Sequence, residues 1–416
     1  MSRRVVITGL GVVTSLSCQV DDLWQRILEG ESGIHALKLF DTEKHKVKFA
    51  GDVWDWHPTD YITPKDLKRI DRFTSFALVA GNEAIKDCGI DFSKEDSFRC
   101  GVILGSGIGG LSEIETQVER LLYKGPDRVS PMTIPKLMLN AAGGNISIQY
   151  GMRGPNYTVA TACASATNAI GDAFKSIQHG DADVMITGGT EAAITPMGIS
   201  GFANMKALSS RNDDPPRASR PFDADRDGFV LSEGAGLLVF EELEHAKARG
   251  AKIYGEVLGF GASGDAGHIT KPDEEGHGAS RAMKNALEDG GINPEDVDYI
   301  NAHGTSTPLG DAAETQAMKN VYGDHAKALS ISSTKSQLGH SLGASGGIEL
   351  VISMKAIESN VVPPTINLNT PDEKCDLDYT PNVPKERQIK TAMSNSFGFG
   401  GHNASVIVGS LRNGSS

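Results

Sequence analysis

The chain has 416 residues, 39% of them hydrophobic and 6% aromatic, enough apolar material for one large or two medium buried cores. A net charge of -13 excludes general binding to nucleic acid or to anionic membrane surfaces, though not a local basic patch for an acidic protein partner. The five cysteines, Cys18, Cys88, Cys100, Cys163 and Cys375, are odd in number, widely spaced and without a CxxC pair, which excludes a disulfide framework or structural zinc site and fits a reducing cytoplasm.

Met1-Ser-Arg-Arg runs directly into strand-like residues 5–7, so no signal or transit segment is expected, and no apolar run reaches transmembrane length. Short β-branched runs at 5–7, 102–104, 184–186, 299–300 and 329–331 alternate with longer helix-like stretches, the pattern of buried strands in an α/β fold. Segments 50–64 and 209–221 are polar or irregular and read as excursions from that pattern. Ala84-Ile-Lys-Asp-Cys-Gly-Ile90 returns about 200 residues later as Ala286-Leu-Glu-Asp-Gly-Gly-Ile292, and in both places a strand follows that ends in Gly-Ser or Gly-Thr. Such self-similarity suggests a duplicated α/β unit, with a site where the two copies meet.

The glycine-rich stretch 105–110 follows the strand at 102–104, precedes a helix predicted over 111–122, and formally satisfies GxGxxG. A nicotinamide-dependent oxidoreductase is therefore an alternative reading. Against it, no acidic residue closes a second strand about 20 residues on, as ribose binding requires. A tight, closely packed turn is expected instead.

Residues 158–170 pass from a β-favouring to a helix-favouring run, with Cys163 at the change. A free cysteine is usually a small buried hydrophobe, and the other four are read that way. At Cys163 the amides and macrodipole of the following helix favour a thiolate, and backbone N–H groups can hold an oxyanion. The neighbours Ala162, Ala164 and Ala166 leave room for a carbonyl to approach.

Further along, Asp223-Ala-Asp-Arg-Asp-Gly-Phe-Val-Leu-Ser-Glu-Gly234 imitates the start of a calcium loop. Gly234 stands where a bidentate Glu is needed, so a hydrogen-bonded turn feeding a strand at 237–240 is expected. Among the eleven histidines, His45, His57, His179, His245, His277 and His325 read as lone surface residues. His303 closes the strand-like run 297–302 and His340 precedes a helix, positions typical of α/β active sites, although histidines there also cap and pack. Asp311 with Glu314 has the form of a capping box.

Four motifs in order, Gly154-Pro-Asn-Tyr-Thr-Val-Ala-Thr-Ala-Cys-Ala-Ser-Ala-Thr-Asn-Ala-Ile170, Asn301-Ala-His-Gly-Thr-Ser-Thr307, Ser333-Thr-Lys-Ser-Gln-Leu-Gly-His340 and Asn395-Ser-Phe-Gly-Phe-Gly-Gly401, resemble those of the β-ketoacyl synthase family. The likeness runs from residue 5 to residue 408. It implies an α/β thiolase-like fold in which two duplicated halves, expected at 1–250 and 251–416, stack as five α-β-α-β-α layers, usually in a homodimer. It also implies a cytoplasmic acyltransferase of fatty-acid synthesis with no metal and no organic cofactor, which condenses malonyl and acyl groups delivered by acyl carrier protein.

The same resemblance assigns the site. Cys163 would carry the acyl group, while His303 and His340 hydrogen-bond the malonyl thioester oxygen and His303 also assists decarboxylation. Lys335 would orient His340 and pair with Glu349, and Asp311 would support the reacting groups from behind. The N–H groups of Cys163 and Phe399 would form an oxyanion hole, with the Phe399 ring as a gate. Thr305 and Thr307 would bond the pantetheine arm, Ile108 and Phe202 would line the acyl pocket, and Lys65, Lys68, Arg69 and Lys206 would dock the acidic carrier protein. The cysteine disfavours a non-catalytic partner subunit, and Gly398-Phe-Gly-Gly-His-Asn403 lacks the second cysteine of thiolases. A polyketide-type condensing enzyme of the same fold remains the alternative. Met132-Thr133 stands where relatives often carry aromatic residues, in a segment expected to close the partner's acyl pocket, which leaves chain length open; Ser232 replaces a usual Gly.

Overall fold

The computed structural model describes residues 3–412; Met1, Ser2 and residues 413–416, which the expected halves and the expected lack of a leader take in, lie outside the described residues. Ten strands carry the architecture: β1 (Val5–Val13), β2 (Cys100–Gly105), β3 (Asn156–Val159), β4 (Val184–Glu191), β5 (Gly234–Glu242), β6 (Gly255–Gly264), β7 (Tyr299–Asn301), β8 (Ser330–Ser332), β9 (Thr391–Gly398) and β10 (His402–Gly409). They form one sheet in the order β8-β7-β9-β10-β6-β1-β5-β4-β2-β3. Its seam is a short antiparallel ladder in which Val5, Val6 and Ile7 face Val257, Glu256 and Gly255.

Outward from that seam the two halves repeat. Each begins with its first strand, β1 or β6, continues through two antiparallel neighbours, and ends in two strands parallel to the last of these. The repeat suggested by segments 84–90 and 286–292 is thus a repeat of topology.

Six helices complete the frame: α1 (Arg72–Cys88), α2 (Leu111–Lys124), α3 (Ser165–His179), α4 (His277–Gly290), α5 (Pro308–Tyr322) and α6 (Ser345–Ser359). The repeated segments are the ends of α1 and α4, each stopped by a left-handed glycine, Gly89 at φ 67° and Gly291 at φ 58°. Helix α1 lies on β1 and α4 on β6. The approach is so close that a Cβ on Gly9 or Gly11 would come within 2.1 or 1.9 Å of the carbonyl oxygens of Ala84 and Ala80. Gly259 and Gly261 stand the same way beneath Ala286 and Ala282. Strand β1 therefore runs on past the apolar stretch at 5–7, because its glycines admit the helix instead of ending the strand.

Helices α3 and α6 form the middle layer: α3 packs on β4 and β2 of one half and β10 of the other, and α6 on β5 and on β9. Ile170, Phe174 and Ile177 of α3 share a buried cluster with Leu350 and Val351 of α6, Leu238 and Phe240 of β5 and Val406 and Val408 of β10. Each such side chain stabilises the fold by roughly 1.5–3 kcal/mol relative to exposure. Among the described residues no helix is long and apolar enough to cross a membrane.

Three local expectations are corrected. His245 is half-buried between Glu241 and Glu95, 2.9 Å from each, partners brought to it only by the fold. Asp311 and Glu314 do not form a capping box, because α5 starts upstream at Pro308, whose fixed φ and missing N–H suit a first helical position. Thirdly, Ala164 and Ala166 are wholly buried and leave no space for a substrate; only Ala162 of the three reaches the cavity described below. The calcium-like stretch is indeed a turn: the Asp223 carboxylate is taken up by the N–H groups of Asp225, Asn369 and Thr370.

Candidate active site

Strand β3 ends at Val159, and a single 3-10 turn, Ala162–Ala164, leads into α3. Ala162 takes φ +50°, a conformation costing an L-residue roughly 1–2 kcal/mol. The turn is held from below: Ser165 Oγ donates to Ala162 O at 2.6 Å and accepts from Thr161 N–H at 2.9 Å, while Asn168 Nδ2 donates to Thr161 Oγ1. Cys163 at its centre is buried but lines a cavity of about 610 Å³.

The second half mirrors this device. A 3-10 turn, Leu342–Ala344, with Leu342 at φ +48°, leads into α6. His340 stands just before it, with Nε2 3.0 Å from Cys163 Sγ and Nδ1 3.0 Å from Ser345 Oγ. His303 follows β7; its ring centroid lies 5.3 Å from that of His340 at an interplanar angle of 87°. The main chain at His303 is fixed by Glu314, whose two oxygens accept the N–H groups of His303 and Gly304 at 2.9 and 2.8 Å. His303 Nδ1 has no protein partner among the described residues.

Burial governs the electrostatics. It pushes the Cys163 thiol up to about 11, against the opposing pull of the Lys335 charge and the Phe399 backbone N–H. The thiolate expected from the helix N-terminus is therefore not the resting state, because desolvation outweighs the Lys335 charge and the backbone amides. Burial and the nearby Lys335 charge likewise hold His303 and His340 well below the usual imidazole range, so both rings are neutral at neutral pH. Lys335 and Glu349 form a buried ion pair behind the histidines, and burial raises Glu349 to about 7 despite its partner. Two neutral ring N–H donors, a buried thiol and backbone amides beside it can stabilise oxyanions during acyl transfer without a resident charge on the donors.

Cys163, His303, His340, Phe399, Thr305, Thr307, Ile108 and Phe202 all meet around this one cavity, with Lys206 also on its wall. Thr305 Oγ1 and Thr307 Oγ1 lie 3.0 Å apart. Phe202 packs edge-on against Phe229, which in turn packs edge-on against His340. Asp311 lies behind the site, accepting Phe222 and Ser306 N–H groups and facing Arg226 at 3.4 Å. Lys65, Lys68 and Arg69 are exposed on and after the short helix Pro64–Leu67, away from the cavity lining.

Lys335 makes no hydrogen bond to His340; Ser345 holds that ring instead, and sequence reasoning missed it. Its position five residues beyond His340, at the start of a helix, was the available signal. Glu191 was missed as well, although a lone charge closing the apolar run from Val184 is unusual enough to notice.

The model described as beta-ketoacyl synthase, N-terminal domain, matches residues 2–246, and that of the C-terminal domain matches 254–369. The chain is 52% identical to 3-oxoacyl-[acyl-carrier-protein] synthase 2 of Coxiella burnetii over 406 residues, 98% of each chain. It is equally identical to the protein so named from Synechocystis sp. over 404 residues, 97% of each. Among solved structures, a beta-ketoacyl synthase from Burkholderia phymatum superposes with TM-score 0.91 at 35% identity, covering 99% of this chain and all of that one. A type II polyketide ketosynthase in complex with its acyl-carrier protein does so with the same score, identity and coverage.

Proposed function

The chain belongs to the beta-ketoacyl synthase family, and from that premise we propose how its site works. The enzyme is an acyltransferase of the 3-oxoacyl-[acyl-carrier-protein] synthase kind, which joins malonyl-carrier protein to a cysteine-bound acyl chain and lengthens that chain by two carbons. In the first step Cys163 Sγ attacks the acyl thioester, the bond to the carrier's pantetheine sulfur breaks, and the thiol proton ends on that sulfur. The N–H groups of Cys163 and Phe399 hold the tetrahedral oxyanion. In the second step the malonyl carboxylate leaves as carbon dioxide, and its electron pair moves into an enolate whose oxygen is held by His303 and His340. The enolate carbon then attacks the thioester on Cys163, and the C–S bond breaks to release the 3-oxoacyl product and a Cys163 thiolate, which takes a proton from solvent to restore the thiol.

The observation that carries this reading is the convergence of Cys163 Sγ with His340 Nε2 at 3.0 Å and the His303 ring beside it, at one cavity fed from both halves. Lys335 with Glu349 sets the field behind the histidines, Asp311 supports the 303–307 loop, and Thr305 and Thr307 receive the pantetheine arm. Ile108 and Phe202 line the acyl pocket and Phe399 gates it.

The division at 250/251 is supported by the turnover between the two matched family domains. A homodimer is the proposed assembly, supported by an open sheet edge at β3. Lys65, Lys68, Arg69 and Lys206 are the proposed contacts for an acidic carrier protein, and the five unpaired cysteines support residence in the cytoplasm.

The test incubates purified protein with acyl and malonyl carrier proteins of graded chain length and follows products by mass spectrometry. Acylated Cys163 and a 3-oxoacyl product two carbons longer are expected. Folded protein that no acyl carrier protein acylates at Cys163 would overturn the reading. The likeness to a solved type II polyketide ketosynthase at 35% identity keeps one second outcome in view, repeated extension of an unreduced chain.

A further inference from the structure

The glycine-rich turn 105–110 has no part in the steps above, yet its main chain is folded as a receiver for an anion, and the anion is internal. Glu191, the last residue of β4, is fully buried and turns its carboxylate into that loop. It accepts the N–H groups of Gly107 at 2.7 Å and of Ile108 and Gly109 at 3.1 Å, and the Ser106 hydroxyl at 3.2 Å. A further N–H, from Gly343 at 3.2 Å, comes from the turn that follows His340 in the other half of the chain. Successive N–H groups converging on one carboxylate form the kind of concave site that elsewhere takes a phosphate.

Space is as restricted as polarity. A Cβ on Gly343 would lie 2.4 Å from Gly107 N and 2.7 Å from Glu191 Oε2, and one on Gly107 would lie 3.0 Å from Glu191 Oε2 and 3.3 Å from Ala162 O. The carboxylate thus touches the loop bearing Ile108, the turn after His340, and the surroundings of the residue before Cys163. Ile108, Ala162, Cys163 and Leu342 all face the cavity. The negative charge also opposes ionisation of Cys163.

We propose that Glu191 is a positioning residue for the acyl chain: by clasping residues 107–109 to Gly343 it fixes the pocket floor at Ile108 and couples that floor to the turn after His340. The inference rests on the reading that Cys163 carries an acyl group.

Two variants of the full chain test it, Glu191→Gln, which keeps the shape but loses the charge, and Gly343→Ala, which wedges the clasp open from the other half and keeps the charge. Acylation of Cys163 is timed with acyl carrier proteins of graded chain length, and the pH dependence of Cys163 alkylation by iodoacetamide is followed alongside. In both variants the ratio of kcat/KM between the longest and shortest chains should change by about tenfold or more, the scale of one or a few misplaced methylenes. Glu191→Gln should also move the alkylation profile to lower pH, and Gly343→Ala should not. Uniform loss over all chain lengths with an unmoved alkylation profile, in protein with a native circular dichroism spectrum, would make Glu191 merely structural and overturn the proposal. If Glu191→Gln does not fold, the chain-length ratio of Gly343→Ala decides. Wild-type protein that is never acylated would instead remove the functional premise.

Discussion

Cys163 sits between opposing influences, a low-dielectric surround that favours the thiol and a Lys335 charge with two amides that favour the thiolate. Since burial wins, the proton leaves during attack, and the amides act on the oxyanion more than on the resting sulfur. On the proposed mechanism decarboxylation, by contrast, needs only the two ring N–H donors. Cys163→Gln is therefore expected to abolish condensation, by at least about 10³-fold as for loss of a nucleophile, while carbon dioxide release from malonyl carrier protein persists. Absence of that release in folded Cys163→Gln would reassign the roles of His303 and His340. Lys335 makes a separate prediction. Its charge helps to hold both histidines neutral, so they protonate only well below the usual imidazole range and the acid fall of kcat should lie well under pH 6.5. In Lys335→Met the histidine pKa values rise and that fall moves to higher pH. The same change leaves Glu349 buried without its partner, a loss of about 3–5 kcal/mol, much of which Lys335→Met/Glu349→Gln should recover. A kcat–pH profile and a denaturant titration of both variants check the two halves of the argument independently.

At the scale of elements, the structure is held by contacts whose partners are distant in sequence, and His245 shows the consequence. Its bonds to Glu241 and Glu95 tie the helix Leu243–Ala248 to the loop before β2, and they raise the imidazole to about 9. A folded pKa above the unfolded value of 6.5 means stability that is complete below about pH 6.5 and lost as pH rises through about 9. Solvent reaches the ring, so about 1 kcal/mol is expected, and His245→Gln should flatten the pH dependence of the unfolding free energy between pH 6 and pH 10 by that amount, as read from denaturant titrations. An unchanged pH profile in His245→Gln would mean that Arg249 alone satisfies Glu241. The same distance in sequence explains what could and could not be read beforehand. Strand centres at 102–104 and 184–186 are legible because β-branched runs ending in glycine are a local signal, and the sequence makes β1 look short because Gly9 and Gly11 resemble a stop until α1 is placed on them. Cys163, His303 and His340 were legible because each stands at the end of a regular element. The contacts of Ser345 with His340, Glu314 with the main chain at His303 and Glu191 with the main chain at Ile108 are not legible, since only tertiary packing brings those partners together, and Glu314 reads in sequence as half of a local cap.

Over the whole molecule the ten-stranded sheet has two ends, and they are treated differently. At β8 the edge is covered: Ile331 N–H donates to Asp378 O, and Thr380 Oγ1 donates to Ile331 O. At β3 no strand of the described residues lies on the outer side, and Tyr157 is 44% exposed. Exposed apolar side chains accumulate on the same half, Tyr123 at 81%, Leu122 at 71% and Ile148 at 82%. An open edge on a half that also exposes apolar side chains is a template for pairing, and a twofold arrangement with a second copy closes the β3 edge of both copies at once. The ladder to β2 tells which main-chain groups are free. Val102 and Ser106 donate to Pro155 O and Val159 O, so by strand alternation residues 155, 157 and 159 face β2 while Asn156 and Thr158 face outward. Thr158→Pro thus removes an outward N–H and leaves the ladder to β2 intact, a change that an edge strand accepts within one chain. Light scattering should then find monomers where the wild type gives dimers. Because β3 runs directly into the turn bearing Cys163, freeing that edge should also lower kcat, with His303 and His340 untouched. If Thr158→Pro remains a dimer of full activity, the pairing surface lies elsewhere, and the α2 side chains Leu122 and Tyr123 become the next residues to change.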